Sequence, residues 1–263
     1  MAHDKPFSCI RTRSPVYCEP SEGAPPLTEL LFGETFLVEA EGSDYCAGRL
    51  PGDETKAYVR ADALAPEAAP ASHRVARKLI AVYRAPVLNG AVHMQLPLNG
   101  LVRLSGARDT IRYGSGRPGT EAVELAGGGW VAMQGLVPAE RALPGIEDAA
   151  GLLVGAPYVR GGKTWLGCDG AGLIHTVLTA CGVPMPRGLD AQLRHLENLG
   201  QALNAPPQAD TCLIYAGDSA GFLLRGCDVV AASDADVQVV RQPMRDFFAR
   251  NTPARFFKHP DPA

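Results

Sequence analysis

Along residues 15–67 the apolar positions fall in short runs broken by Gly and Pro, as in Leu30-Leu31-Phe32-Gly33-Glu34-Thr35-Phe36-Leu37-Val38 and the later Ala57-Tyr58-Val59. Strand-length runs bounded by turn residues predict a small all-β module. Residues 1–14 read as an N-terminal tail, and the Pro/Ala-rich stretch from Ala65 to Ser72 reads as a linker. Residues 73–138 repeat the texture, with Leu79-Ile80-Ala81-Val82-Tyr83, Gly100-Leu101-Val102-Arg103-Leu104, Gly129-Trp130-Val131 and Leu136-Val137-Pro138. The close of the first module, Lys56 to Val59 and then Ala63-Leu64, has the same shape. Both modules are expected to be small barrels of about five strands.

The period changes in residues 139–258. From Asp169 to Gly182 the apolar residues Leu173, Ile174, Val177, Leu178 and Cys181 stand at helical spacing. Asp169 is a preferred capping residue for the start of that helix, and Gly182 is suited to its end. Beyond Pro206-Pro207 come four short apolar runs, 211–215, 221–224, 229–232 and 237–240. They predict a meandering antiparallel sheet behind one buried helix, an α+β arrangement.

Composition narrows the function classes. Of the 263 residues 46% are hydrophobic and 20% charged, as in an ordinary soluble globular protein. The net charge of −3 gives no electrostatic footprint for nucleic acid or an anionic membrane. No apolar stretch approaches the roughly 20 residues that span a bilayer, and the N-terminus lacks the apolar core of a signal peptide. The cysteines, at 9, 18, 46, 168, 181, 212 and 227, are odd in number and show no CxxC or zinc-like spacing. A reduced, cytoplasmic setting is expected, with no metal and no cofactor.

Four segments in order carry a resemblance. Pro157-Tyr158-Val159-Arg160-Gly161-Gly162 is followed by Asp169-Gly170-Ala171-Gly172-Leu173-Ile174, then Pro186-Arg187-Gly188-Leu189-Asp190-Ala191-Gln192 and Ala209-Asp210-Thr211-Cys212-Leu213-Ile214-Tyr215. Together they resemble the NlpC/P60 cell-wall peptidases, whose pattern is PYxWGG, D-C-S-G-L-V opening a helix, P-R-D-S-x-x-Q, and a G-D-L-V-F-W strand followed by H-V-G. The stretch from Leu30 to Glu34 is similar to that of members with two bacterial SH3 (SH3b) modules ahead of the peptidase domain. The resemblance implies a papain-like α+β domain at 139–258, SH3b-like domains at 15–67 and 73–138, and an ancestor that cut γ-D-glutamyl to diamino-acid bonds.

Such cleavage needs a thiolate, a base that holds its proton, and a polar group that orients the base. Matched residue by residue, the family's nucleophile falls on Gly170, its base on Ser219 (the start of Ser219-Ala220-Gly221) and its third group on Ala231. None of the three can do its part. The resemblance also implies a site for the free amino end of a peptide, with Asp169 and Tyr158 kept. The Trp of PYxWGG is Arg160 here, and the two family serines are Ala171 and Leu189.

The expected protein is therefore a pseudoenzyme that binds a peptidoglycan-derived peptide or regulates a partner, such as an active paralogue. The alternative keeps a peptidase through a shifted nucleophile, Cys168, with His175 or His195 as its base. Plainer readings stand beside these. Asp169 serves only as a helix cap, Trp130 and Tyr58 are core aromatics, Cys212 and Cys227 are buried apolar fillers, and Gly127-Gly128-Gly129 is a hairpin turn.

Overall fold

A computed structural model describes residues 4–52, 55–67, 69–112, 119–207, 210–217 and 219–260, and the chain divides into units 1–141 and 142–263. Met1 to His3 of the expected tail, Ala68 of the expected linker and Ala209 of the fourth motif lie outside the described residues.

In the first unit, part of the expected tail is structural. Lys5–Cys9 is a strand with Phe7 and Cys9 buried, paired on one side with Thr35–Ala40 and on the other with Leu64–Pro66. The linker's first residues, Ala65 and Pro66, thus also join a sheet. That sheet has seven strands in the order Pro26–Leu31, Arg13–Tyr17, Ala57–Arg60, Tyr45–Arg49, Thr35–Ala40, Lys5–Cys9, Leu64–Pro66. It does not close into the expected barrel. Its two edge strands begin or end in Pro26 and Pro66, which have no N–H to offer a further strand.

Residues 73–138 form a five-stranded and a three-stranded sheet, again without a closed cylinder. The similarity read between the two modules has a geometric basis. Ala57–Arg60, a 3₁₀ turn at Ala61–Ala63 and Leu64–Pro66 correspond to Trp130–Ala132, Met133–Gly135 and Leu136–Pro138. In both, the residue after the 3₁₀ turn bonds back to its first carbonyl, Leu64 to Ala61 and Leu136 to Met133. The glycine run does make a hairpin turn. Gly128 and Gly129 take φ of +88° and +91°, and Leu125 N–H donates to Gly129 O at 2.9 Å.

The second unit is α+β. Its helices are α1 (Ile146–Gly151), α2 (Gly170–Ala180), α3 (Leu189–Asn198) and α4 (Met244–Phe248). A six-stranded antiparallel sheet runs Ala202–Leu203, Arg255–Phe257, Cys212–Ala216, Ser219–Leu223, Asp228–Ser233, Gln238–Pro243. Helix α2 packs on one face of it, against Leu213, Ala220, Phe222, Val230 and Ala232. The opposite face carries Ile214, Leu223, Val229 and Ala231 under Phe247 of α4.

Helix α2 is apolar nearly all round because it is enclosed on both sides. Behind it lies a short hairpin, Lys163–Thr164 with Gly167–Cys168, and Thr176 Oγ1 donates to Lys163 O at 2.6 Å. Leu173, Ile174, Val177 and Leu178 are fully buried, each contributing about 1.5–3 kcal/mol of apolar burial. Gly182 ends the segment with φ +77°. No helix among the described residues is long and apolar enough to cross a membrane.

Candidate functional site

The N-terminus of α2 is where the sequence places chemistry, and Asp169 organises it. Its backbone is extended (φ −101°, ψ 176°), and Oδ1 accepts from Gly172 N–H at 2.7 Å, a side-chain cap. Its other oxygen accepts from Gly161 N–H at 2.7 Å and from Arg187 Nη2 at 2.9 Å. The same guanidinium nitrogen reaches Gly162 O at 3.0 Å. Glycine is required where the loop meets the helix, since a β-carbon on Gly172 would stand 2.0 Å from Gly162 O. Asp169 therefore does more than cap: it ties the 161–162 loop, the helix and Arg187 together. Three of its roughly four acceptor sites are already taken.

Gly170, the first residue of α2, is buried against the sheet. A β-carbon there would lie 2.7 Å from Ala220 N, with Ala220 Cβ at 3.1 Å and Cα at 3.2 Å. The structure thus brings Gly170 against the peptide between Ser219 and Ala220. Gly221 pairs with Ala231, which makes Ser219 and Ala231 diagonal neighbours on one face of the sheet. Ala231 is wholly buried on the side covered by Phe247. The positions that would hold base and orienting group are neighbours, but their side chains are a hydroxymethyl and a methyl.

The alternative nucleophile is elsewhere. Cys168 is fully buried in the cluster around α2, with Sγ 3.4 Å from Asp169 O. His175 is held by the carbonyl of Met185 at 2.7 Å, which fixes its proton on Nδ1. Burial, then the nearby Lys163 ammonium, pushes its pKa down to about 3, too low for a useful general base at neutral pH. His195 lies in the last turn of α3, with no side-chain partner among the described residues.

The ligand candidates are dispersed. Tyr158 is half-buried against the core cluster, its N–H donating to Val237 O at 2.8 Å. Arg160 is exposed and makes no ion pair among the described residues. Leu189 turns into the core at the start of α3. Cys212 is buried, which raises its thiol to about 12. Cys227, expected inside, is instead exposed in a turn with φ +67°. Gly226-Cys227 lies in the link between two strands, where the flanking apolar residues mask the turn. Trp130 and Tyr58 are half-exposed at strand positions.

Two residues within the quoted motifs had no assigned role and prove central. Arg187 is one. Buried Gln192 is the other: its amide donates to Ala171 O and Pro186 O, both at 2.8 Å, and its carbonyl accepts from Tyr215 OH at 3.1 Å. It joins α2, α3 and the sheet. The signal was a polar residue on the inner stripe of an otherwise amphipathic helix.

No protein-family model matches the chain, and no curated protein matches it. Solved structures do. An NlpC/P60 family protein from Bacillus cereus ATCC 10987 aligns over 91% of this chain and 94% of its own, at 14% identity and a TM-score of 0.71. An NlpC/P60 endopeptidase from Photobacterium damselae subsp. piscicida covers 99% of this chain and 75% of its own, at 11% identity and a TM-score of 0.61. The fold is that of NlpC/P60 family proteins. At such identities the likeness is one of fold.

Proposed function

We propose that this chain is a non-catalytic homologue of the γ-D-glutamyl-L-diamino-acid endopeptidases, a binding or regulatory protein for a cell-wall-type peptide or a partner protein. One observation carries the reading: the backbone of Ala220 occupies the space a nucleophile's β-carbon would need at position 170. Ser219 and Ala231 supply neither base nor orienting group, so restoring a thiol would still leave it without a proton acceptor. The buried place of Cys168 speaks against its recruitment, because a nucleophile must meet its substrate. The walls are maintained while the chemistry is gone, through Asp169, Arg187 and Gln192. The repeated strand–3₁₀–strand close of the two N-terminal modules supports reading them as SH3b-like.

The engagement of Asp169 by Arg187 bears on the ligand. A carboxylate already paired with a guanidinium is a weak receptor for a peptide's amino end, so the ancestral specificity is not expected to survive intact.

The test is to incubate the purified protein with L-Ala-γ-D-Glu-diamino-acid tripeptide and follow release of the diamino acid by mass spectrometry. No release is expected, while an active SH3b-containing relative cleaves the same sample. Release with catalytic turnover would overturn the reading and return Cys168 to first place.

A further inference from the structure

A cavity lies at the C-terminal end of α2. It has a volume of about 640 Å³ and is lined in part by Cys181 and Val183, just past the helix C-terminus. The 11 residues of α2 span roughly 16 Å at 1.5 Å per residue, so this cavity is separate from the Gly170 end of the helix. Its size falls within the roughly 300–1,000 Å³ of small-molecule sites.

The lining has both charge signs on an apolar floor. Leu143, Ile146, Val183 and Leu203 give the floor. Arg225 is fixed at the rim: Glu147 Oε1 accepts from its Nε at 3.0 Å, from its N–H at 3.0 Å and from Thr211 Oγ1 at 2.6 Å. Those bonds, the Thr211 hydroxyl foremost, hold the Glu147 carboxyl below its ordinary range. The two terminal guanidinium nitrogens of Arg225 and the ammonium of Lys258 take no partner among the described residues. Nor do the carboxylates of Asp148 and Asp210, which also line the cavity.

We propose that this cavity binds a small zwitterion, a free amino acid or dipeptide with an apolar side chain. Its carboxylate would meet the positioned Arg225 fork and Lys258, and its ammonium would meet Asp148 and Asp210. Either simple ion meets like charges here, an anion those of Glu147, Asp148 and Asp210 and a cation those of Arg225 and Lys258. Only a molecule carrying both charges satisfies the site. The proposal does not depend on whether the Gly170 end of α2 is catalytic.

The experiment is calorimetric titration of the full chain with L-leucyl-L-alanine, its N-acetyl form and its C-terminal amide. The free dipeptide is expected to bind about 10-fold or more tightly than either blocked form, the scale of one lost charge-assisted hydrogen bond. Arg225→Ala and Asp210→Asn should each weaken it by a similar factor, with unfolding midpoints unchanged because both side chains are exposed. Equal binding of the blocked forms, or no binding at millimolar dipeptide, overturns the proposal. So does loss of binding in Arg160→Ala with retention in Arg225→Ala, which would put the dipeptide near the N-terminal end of α2.

Discussion

The backbone nitrogen of Ala220 lies 2.7 Å from the point where a β-carbon on Gly170 would stand. Backbone cannot give way as a flexible side chain can, so the helix end or the strand must move to admit any larger residue. Gly170→Cys is expected to cost about 1–3 kcal/mol, the scale of overpacking a filled core. It should also yield no peptidase activity on the tripeptide, because Ser219 and Ala231 are unchanged. Urea unfolding checks the first point. A variant as stable as the parent would mean that the helix terminus is not seated as tightly as its contacts imply.

The Asp169–Arg187 pair is mostly buried, with side-chain exposures of 15% and 12%. Replacing one member strands the other, and the expected loss for Arg187→Met is about 3 kcal/mol. Asp169→Asn should lose a comparable amount while keeping part of the cap. The double variant should cost less than the two single changes added together, since no charge is then left buried without its counterion. Simple additivity in a double-mutant cycle would show that the two side chains act independently.

How much of this could be seen in the sequence depends on how local each cause is. Helix α2 was legible because its stripe and both caps lie within 169–182, and the four-strand meander was legible because each run is bounded by its own turn residues. Lys5–Cys9 was missed because two inward residues beside Pro6 make too short a pattern to distinguish from a tail. The strand Arg255–Phe257 sits between Ala202–Leu203 and Cys212–Ala216, and no local pattern encodes a partner 40 or more residues distant. The site divided the same way. Motif matching marks Gly170 and Ser219 as expected site positions, but Arg187 reaches Asp169 only after the chain has turned back past α2, a contact that no sequence pattern encodes.

His175 makes the second unit sensitive to acid. Unfolded, its imidazole titrates near 6.5; folded, burial and then Lys163 hold it at about 3. Between those values the unfolded chain carries the proton and the folded chain does not. Its contribution is thus fully present above about pH 6.5 and is lost as the pH falls toward 3, by up to about 1.4 kcal/mol per pH unit. Urea midpoints at several pH values for the parent and for His175→Gln check this. The gap between them should shift toward the variant on acidification. Parallel curves would assign the acid sensitivity to other groups.

Gly33 tests how the two N-terminal modules hold together. Leu101 N–H donates to Phe32 O at 2.7 Å, and the Phe32 ring packs into the core of the second module. Gly33 follows with φ +77°, and a β-carbon on it would stand 2.1 Å from Leu101 O. Two penalties therefore meet at Gly33→Ala: about 1–2 kcal/mol for the left-handed backbone and about 1–3 kcal/mol for the contact. Gly52 separates them, because its φ is +76° with nothing within 4 Å of the added carbon. Gly52→Ala should lower the unfolding free energy by the backbone share alone. Gly33→Ala should lower it by clearly more, and it should increase proteolytic cleavage in the 67–72 segment as the modules lose their contact. If the two variants were equally destabilised, the Phe32-Gly33 junction would contribute only its own turn, and the modules would have to be held together elsewhere.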